Sequence, residues 1–170
     1  MDWKFRERSI CLINLKRLVY LISPGKIYKK FYTDLSLVLA SKKVKFFQLR
    51  LKKTSNSKII KIGKKIKIIT KKYDVKLIIN DSVKLAKKIN ADGCHIGQLD
   101  GSISSGRKFL KNKIIGVTCH NSKKLALIAL KNEVEYIAFG SFFKSKLKPI
   151  AKKADIKVLK WSKKNIKKPV

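Results

Sequence analysis

Apolar residues along the 170-residue chain follow two spacings in turn. Short runs rich in β-branched and aromatic residues read as strands: "LVYLI" (18–22), "VKFFQLR" (44–50), "VKLII" (75–79), "DGCHI" (92–96), "IIGVT" (114–118) and "EYIAF" (135–139). Between the second and third, Ile59, Ile62, Ile66, Ile69 and Tyr73 recur at steps of three and four, which is one face of an amphipathic helix. Leu125, Ile128 and Ala129 predict the same after the fifth run, and residues 31–42 after the first. Six β-then-α units in succession predict parallel strands joined by right-handed crossovers.

Two closures satisfy that order, an open doubly wound sheet and a (β/α)8 barrel. No GxGxxG follows the first run and no GxxxxGK[ST] occurs, so the usual nucleotide-binding signatures are absent. The compact spacing of strand starts suits a small barrel. The fold class expected is α/β, of the (β/α)8 TIM-barrel family, with only about six βα units in this chain, because "KKPV" falls where a seventh strand would begin. The domain reading is therefore an N-terminal extension at 1–17 and an incomplete barrel at 18–170, the product of a truncated reading frame or a fragment.

Composition changes this picture in one respect. Lys plus Arg number 43 against 10 Asp plus Glu, a net charge of +33, which ordinarily points to nucleic acid or an anionic membrane. The lysines are spread over nearly every helix and loop and accompany abundant Ile and Asn, the pattern of an AT-rich coding sequence with Lys on solvated faces. No specific nucleic-acid partner is expected, and the aromatic placement does not suggest base stacking. The longest apolar stretches are far too short to span a bilayer, so the expectation is a cytoplasmic protein without membrane association. Cys11, Cys94 and Cys119 lack CxxC or Cys/His metal spacing and read as bystander thiols.

In a barrel the chemistry sits at the C-terminal ends of the strands. Gln48, Arg50 and Lys52 close the second strand, and Asn80 and Asp81 follow the third. His95, Gln98 and Asp100 come with the fourth, Thr118, His120 and Asn121 with the fifth, and Ser145 and Lys148 after the sixth. Asp81 and Asp100, arriving from adjacent strand ends, make an oxygen-rich site for Mg²⁺, which is usually held by one or two carboxylates plus substrate phosphates. Arg50, Lys52 and Lys148 complement a multiply charged phosphate. Cations and metal together point to a diphosphate whose departure is assisted. The bland readings stand beside these: Asp81 as a helix cap, Asp100 as a turn residue, His95 as a satisfied core histidine, Phe142 and Phe143 as packing beneath the sixth loop.

With those residues in place, the chain resembles thiamine phosphate synthase. The matching stretches are "LVYLISP", "FFQLRLK", "LIINDSVKLA", "ADGCHIGQLD", "IIGVTCHNS" and "YIAFGSFFKSKLKP", in order over residues 18–170. The resemblance implies a (β/α)8 barrel that joins 4-amino-5-hydroxymethyl-2-methylpyrimidine diphosphate to a thiazole phosphate, releasing diphosphate, with Mg²⁺ as cofactor. It also implies that these small-molecule substrates are the partners, and a homo-oligomer is possible. Carried over by position, Gln48, Arg50, Lys52 and Asn80 bind the pyrimidine diphosphate, and Asp81 and Asp100 bind Mg²⁺. Thr118 stands where a serine is usual, and Lys148 matches a diphosphate-binding lysine. Ser145, Lys146 and Leu147 occupy the thiazole-phosphate positions, where Leu147 replaces a threonine hydroxyl. The glycine-rich loops after strands seven and eight are not in the chain, so weak or absent turnover is expected of these 170 residues alone. Two other functions fit some of the residues, a related thiazole tautomerase using His120 and a basic nucleic-acid-binding protein on a degenerate barrel scaffold.

Overall fold

The computed structural model describes residues 19–143 and 153–170. Six strands, β1 (Val19–Ile22), β2 (Val44–Leu49), β3 (Lys76–Asn80), β4 (Gly93–Ile96), β5 (Ile114–His120) and β6 (Tyr136–Phe139), alternate with six helices. The helices are α1 (Phe31–Ala40), α2 (Asn56–Lys72), α3 (Val83–Ile89), α4 (Ile103–Leu110), α5 (Lys123–Lys131) and α6 (Ile156–Asn165). All neighbouring strands are parallel, in the order β1-β2-β3-β4-β5-β6. A doubly wound sheet would reverse its strand order partway, so the sequential order excludes that closure. The result is a six-stranded half-barrel. Beside β6, the Ile137 N–H donates to the Pro169 carbonyl at 3.0 Å, so the "KKPV" segment lies along that strand.

Strand alternation sorts the side chains into two faces. Phe47 and Leu49, Leu77 and Ile79, Cys94 and Ile96, Ile115, Val117 and Cys119, and Ile137 are buried in one core with the helices. From α2 the expected face arrives intact, with Ile62 and Ile66 buried and Ile59, Ile69 and Tyr73 packed beside them. In α5 the face is rotated from the expectation. Ala126 and Ala129 are buried with Leu125 and Leu130 beside them, while Ile128 is 42% exposed. Small alanines let α5 lie close to β5, which leaves the longer Ile128 on the outside. Phe143 is 83% exposed, contrary to the expectation that it packs beneath the sixth loop.

Four of the six described helices start at a serine cap. Ser55, Ser82, Ser102 and Ser122 accept hydrogen bonds from the backbone N–H groups of Lys58, Leu85, Ser105 and Leu125, and Asp155 caps α6 in the same way. Each cap satisfies an otherwise orphaned donor and ends the loop that follows a strand. Because Ser82 caps α3, the Asp81 carboxylate is released from the capping role.

At the opposite end, acidic residues staple neighbouring strands. Asp92 Oδ2 accepts the Leu77 N–H at 2.7 Å and the Lys67 ammonium at 2.6 Å. Glu135 Oε2 accepts the Ile115 N–H at 2.6 Å and the Arg107 guanidinium at 2.7 Å. Arg107 also donates to the carbonyls of Lys111, Lys113 and Glu133, so one largely buried side chain ties the end of α4 to the starts of β5 and β6. Removing one partner leaves the other charge buried and unpaired. Glu135→Ala is therefore expected to lower unfolding stability by about 3 kcal/mol. Urea titration checks this, and a loss within the range of an ordinary surface substitution would contradict it.

Candidate functional site

The inward face of the half-barrel carries the polar residues. On β2 and β3, Gln48 is 4% exposed and its amide donates to Asn80 Oδ1 at 2.8 Å, so each orients the other. One turn beyond, the chain between β2 and α2 carries Arg50 and Lys52 upward. The Arg50 N–H is held by Ser23 Oγ at 2.9 Å, which fixes the backbone against the loop after β1. Among the described residues the Arg50 guanidinium has no ion-pair partner, which leaves its fork available.

Asp81 sits at φ +66°, and its N–H donates to the His95 carbonyl at 2.7 Å, extending the β3–β4 ladder by one link. That left-handed turn sends the carboxylate across the rim, where it meets Lys52 Nζ at 3.4 Å. Lys52 is well exposed, so the pair contributes little to stability. Asp100 folds back so that Oδ2 accepts the Gly97 N–H at 2.9 Å. A Cβ at position 97 would collide with that oxygen, which explains the glycine. Asp100 is thus a turn residue, as the bland reading has it, and also a neighbour of Asp81. Burial, then the hydrogen bond and the negative charge of Asp81, raise its pKa above the ordinary aspartate value. Two carboxylates pressed together beside a single lysine are short of positive charge, which a divalent cation would supply. The residues present therefore fit a hard cation held by two carboxylates and a ligand's oxygens.

His95 lies inside β4 with partners on both ring nitrogens, but it is half-buried on the inward face and not in the core as the bland reading has it. Nδ1 is 2.9 Å from the Tyr136 hydroxyl and Nε2 is 2.7 Å from Thr118 Oγ1. Gln98 reaches back to donate to the Thr118 carbonyl. His120 is exposed at φ +50°, and Asn121 Oδ1 accepts the Asp155 N–H, which joins the fifth loop to the start of α6. Ser145, Lys146, Leu147 and Lys148 lie outside the described residues. The structure thus brings together Gln48 with Asn80, Lys52 with Asp81 and Asp100, and His95 with Thr118. Sequence reasoning missed Tyr20 and Tyr136, whose hydroxyls are 2.7 Å apart. Their signal was a tyrosine at the inward position of each outer strand, with Gly116 paired to Tyr136 across β5 and β6.

The Cys94 thiol is pushed up to about 12 by burial and by the charges of Asp81 and Asp100, and the Cys119 thiol to about 12 by burial. Both stay protonated and inert as nucleophiles. Among the described residues no helix is long and apolar enough to cross a membrane.

The sequence profile of the family described as thiamine monophosphate synthase matches residues 19–170. The thiamine-phosphate synthase of Pelagibacter ubique is 55% identical over 156 residues, covering 91% of this chain and 75% of its own length. That of Saccharophagus degradans is 44% identical over 117 residues, covering 68% of this chain and 54% of its own length. Among solved structures, the thiamine phosphate pyrophosphorylase from Pyrococcus furiosus superposes with a TM-score of 0.78 at 26% identity, covering 91% of this chain and 73% of that one.

The raised pKa of Asp100 gives a signed expectation. A carboxyl whose pKa is higher folded than unfolded favours the fold below the unfolded value of about 4 and loses that contribution as pH rises through the folded value. In chelator-treated protein, Asp100→Asn should therefore raise the melting temperature at pH 7 and show no gain near pH 3. Thermal scans at the two pH values check it, and an equal gain at both would contradict the carboxylate pairing.

Proposed function

The chain belongs to the thiamine monophosphate synthase family, its function being thiamine-phosphate synthesis in thiamine biosynthesis, and we propose that the rim of β2 to β5 binds the pyrimidine diphosphate for that transfer. The observation that supports this most is the Lys52–Asp81–Asp100 cluster at the ends of β2 to β4, beside Arg50, which has no ion-pair partner among the described residues, and Thr118 on β5.

Each residue has a task that follows from its chemistry. Gln48 and Asn80, locked amide to amide at the floor, present oriented donors and acceptors to the pyrimidine ring. Arg50 offers its planar fork and Lys52 a point charge to the phosphates, with Lys148 joining them from the sixth loop. Thr118 supplies a hydroxyl to the same diphosphate. Asp81 and Asp100 hold Mg²⁺, which when bound offsets the charge on the leaving diphosphate. The pyrimidine C–O bond breaks first, its electron pair leaving with the diphosphate, and the thiazole nitrogen then forms the new C–N bond. Donors aimed at the departing oxygens favour that step because the charge on them grows as the bond breaks.

Ser145, Lys146 and Leu147 serve the thiazole phosphate, Lys146 and backbone N–H groups standing in for the hydroxyl that Leu147 lacks. In the complete site a closed (β/α)8 barrel brings the loops after strands seven and eight to this half. Turnover needs those loops, while the pyrimidine-diphosphate half binds without them. A tautomerase has no diphosphate to expel and gives no role to the Asp81–Asp100 pair, and the relatives do not favour it.

Calorimetric titration of the 170-residue chain with inorganic diphosphate tests the reading. Saturable binding that needs Mg²⁺ is expected, weakened about 10- to 100-fold by Arg50→Ala, with Asp100→Ala losing the Mg²⁺ requirement and most of the affinity. Mg²⁺-dependent binding retained in both variants would sink the assignment.

A further inference from the structure

Behind the rim, four groups stand in series on the inward face. The Tyr20 hydroxyl is 2.7 Å from that of Tyr136, which is 2.9 Å from His95 Nδ1, and His95 Nε2 is 2.7 Å from Thr118 Oγ1. The row crosses from β1 through β6 and β4 to β5, so it links both outer strands to the site. Its geometry is enforced by packing. A Cβ at position 116 would fall inside the Tyr136 ring, so only glycine lets that ring lie over β5. On its other sides the ring meets His95, stacked at 5.6 Å and 28°, Tyr20 edge-on at 5.6 Å, and Phe46 at 6.2 Å. Burial pushes the Tyr20 hydroxyl up to about 12 and the Tyr136 hydroxyl above its ordinary range, so both are neutral phenols with one proton each.

Counting protons gives the row a direction. With His95 as the neutral imidazole, which has one N–H, the two phenols and the threonine make four protons for the three hydrogen bonds of the row. If His95 carries its proton on Nδ1, it donates to Tyr136 and accepts from Thr118, and the spare proton falls on a tyrosine. Neither phenol has a further acceptor among the described residues, and both are half-buried and flanked by aromatic rings. If the proton is on Nε2, Tyr20 donates to Tyr136, Tyr136 donates to Nδ1, and Nε2–H donates to Thr118 Oγ1. The spare proton is then that of Thr118, at the open end of the row. A half-buried donor without a protein acceptor is costlier than one facing a bound anion, so the second arrangement is favoured when an anion sits beside Thr118.

We propose that Tyr136, backed by Tyr20, acts through His95 to hold the Thr118 hydroxyl as a donor aimed at the bound diphosphate. Tyr136, Tyr20 and His95 are positioning residues, and the assignment rests on the diphosphate reading above. Thr118 cannot turn its proton back onto His95, because its lone pair already accepts from Nε2–H. The diphosphate oxygen therefore meets a donor that needs no reorientation as charge develops on it.

Two measurements test this. The chain has two histidines, so in a His120→Gln background the ¹⁵N spectrum reports His95 alone. An Nε2–H tautomer is expected, and an Nδ1–H tautomer in the diphosphate-bound protein would overturn the proposal. The second is a cycle of diphosphate affinities with Mg²⁺. Thr118→Val is expected to weaken binding about 10-fold and Tyr136→Phe about 5-fold, with the double variant no worse than Thr118→Val by more than about 2-fold. Tyr20→Phe should give a smaller loss of the same kind. Losses that multiply, or a Tyr136→Phe protein that binds like wild type, would refute the positioning role while leaving the diphosphate site intact. Absence of Mg²⁺-dependent binding in the wild type, or undiminished binding in Arg50→Ala, would instead remove the reading beneath it and the proposal together. The wild-type tautomer decides the matter even if Tyr136→Phe unfolds.

Discussion

Phe47, Leu77, Cys94, Ile115 and Cys119, all at 0% exposure on the helix side of the sheet, fix everything else in the molecule. In a strand of period two, a slip of one residue would bring Gln48, Asn80, His95 and Thr118 into that layer and turn the apolar side chains inward. Neither set tolerates the exchange, since buried amides and hydroxyls would lose their partners and the core would lose its contacts. Burial of one face thus determines which residues line the other. The site is what remains when the core has taken its share.

The charge distribution follows the same logic. In a chain with 43 cations and 10 acids, an aspartate or glutamate is rarely there by default. Asp92 and Glu135 staple strands at the far end, Asp155 caps α6, and Asp81 and Asp100 stand together at the rim. The first three accept backbone N–H groups that would otherwise be unsatisfied. The rim pair raises the proton affinity of Asp100, an arrangement that costs stability and makes sense when a cation occupies it.

Much of this was legible in the chain. The strands begin and end within two residues of the runs that predict them, because each is a short β-rich segment bounded by a turn. Sequential parallel order was also expected, while the choice between two closures needed the sheet itself. Asp81 was ambiguous because "NDS" offers three cap candidates in a row, and only the structure shows that Ser82 takes the role. In α5 the periodicity could not tell Ile128 from Ala126, since the packing distance to β5 decides which one fits. The Tyr20–Tyr136–His95–Thr118 row was not legible, because its members lie far apart in the chain and meet only through the register of four strands.

The central claim is that the rim holds a diphosphate by its cations and Thr118, with a divalent ion on the two carboxylates. A crystal structure of the 170-residue chain grown with inorganic diphosphate and Mn²⁺ in place of Mg²⁺ tests it most directly. An anomalous peak is expected between Asp81 and Asp100, with diphosphate oxygens shared among the ion, Arg50, Lys52 and the Thr118 hydroxyl. An ion bound elsewhere, or diphosphate scattered over surface lysines with the rim empty, would contradict it.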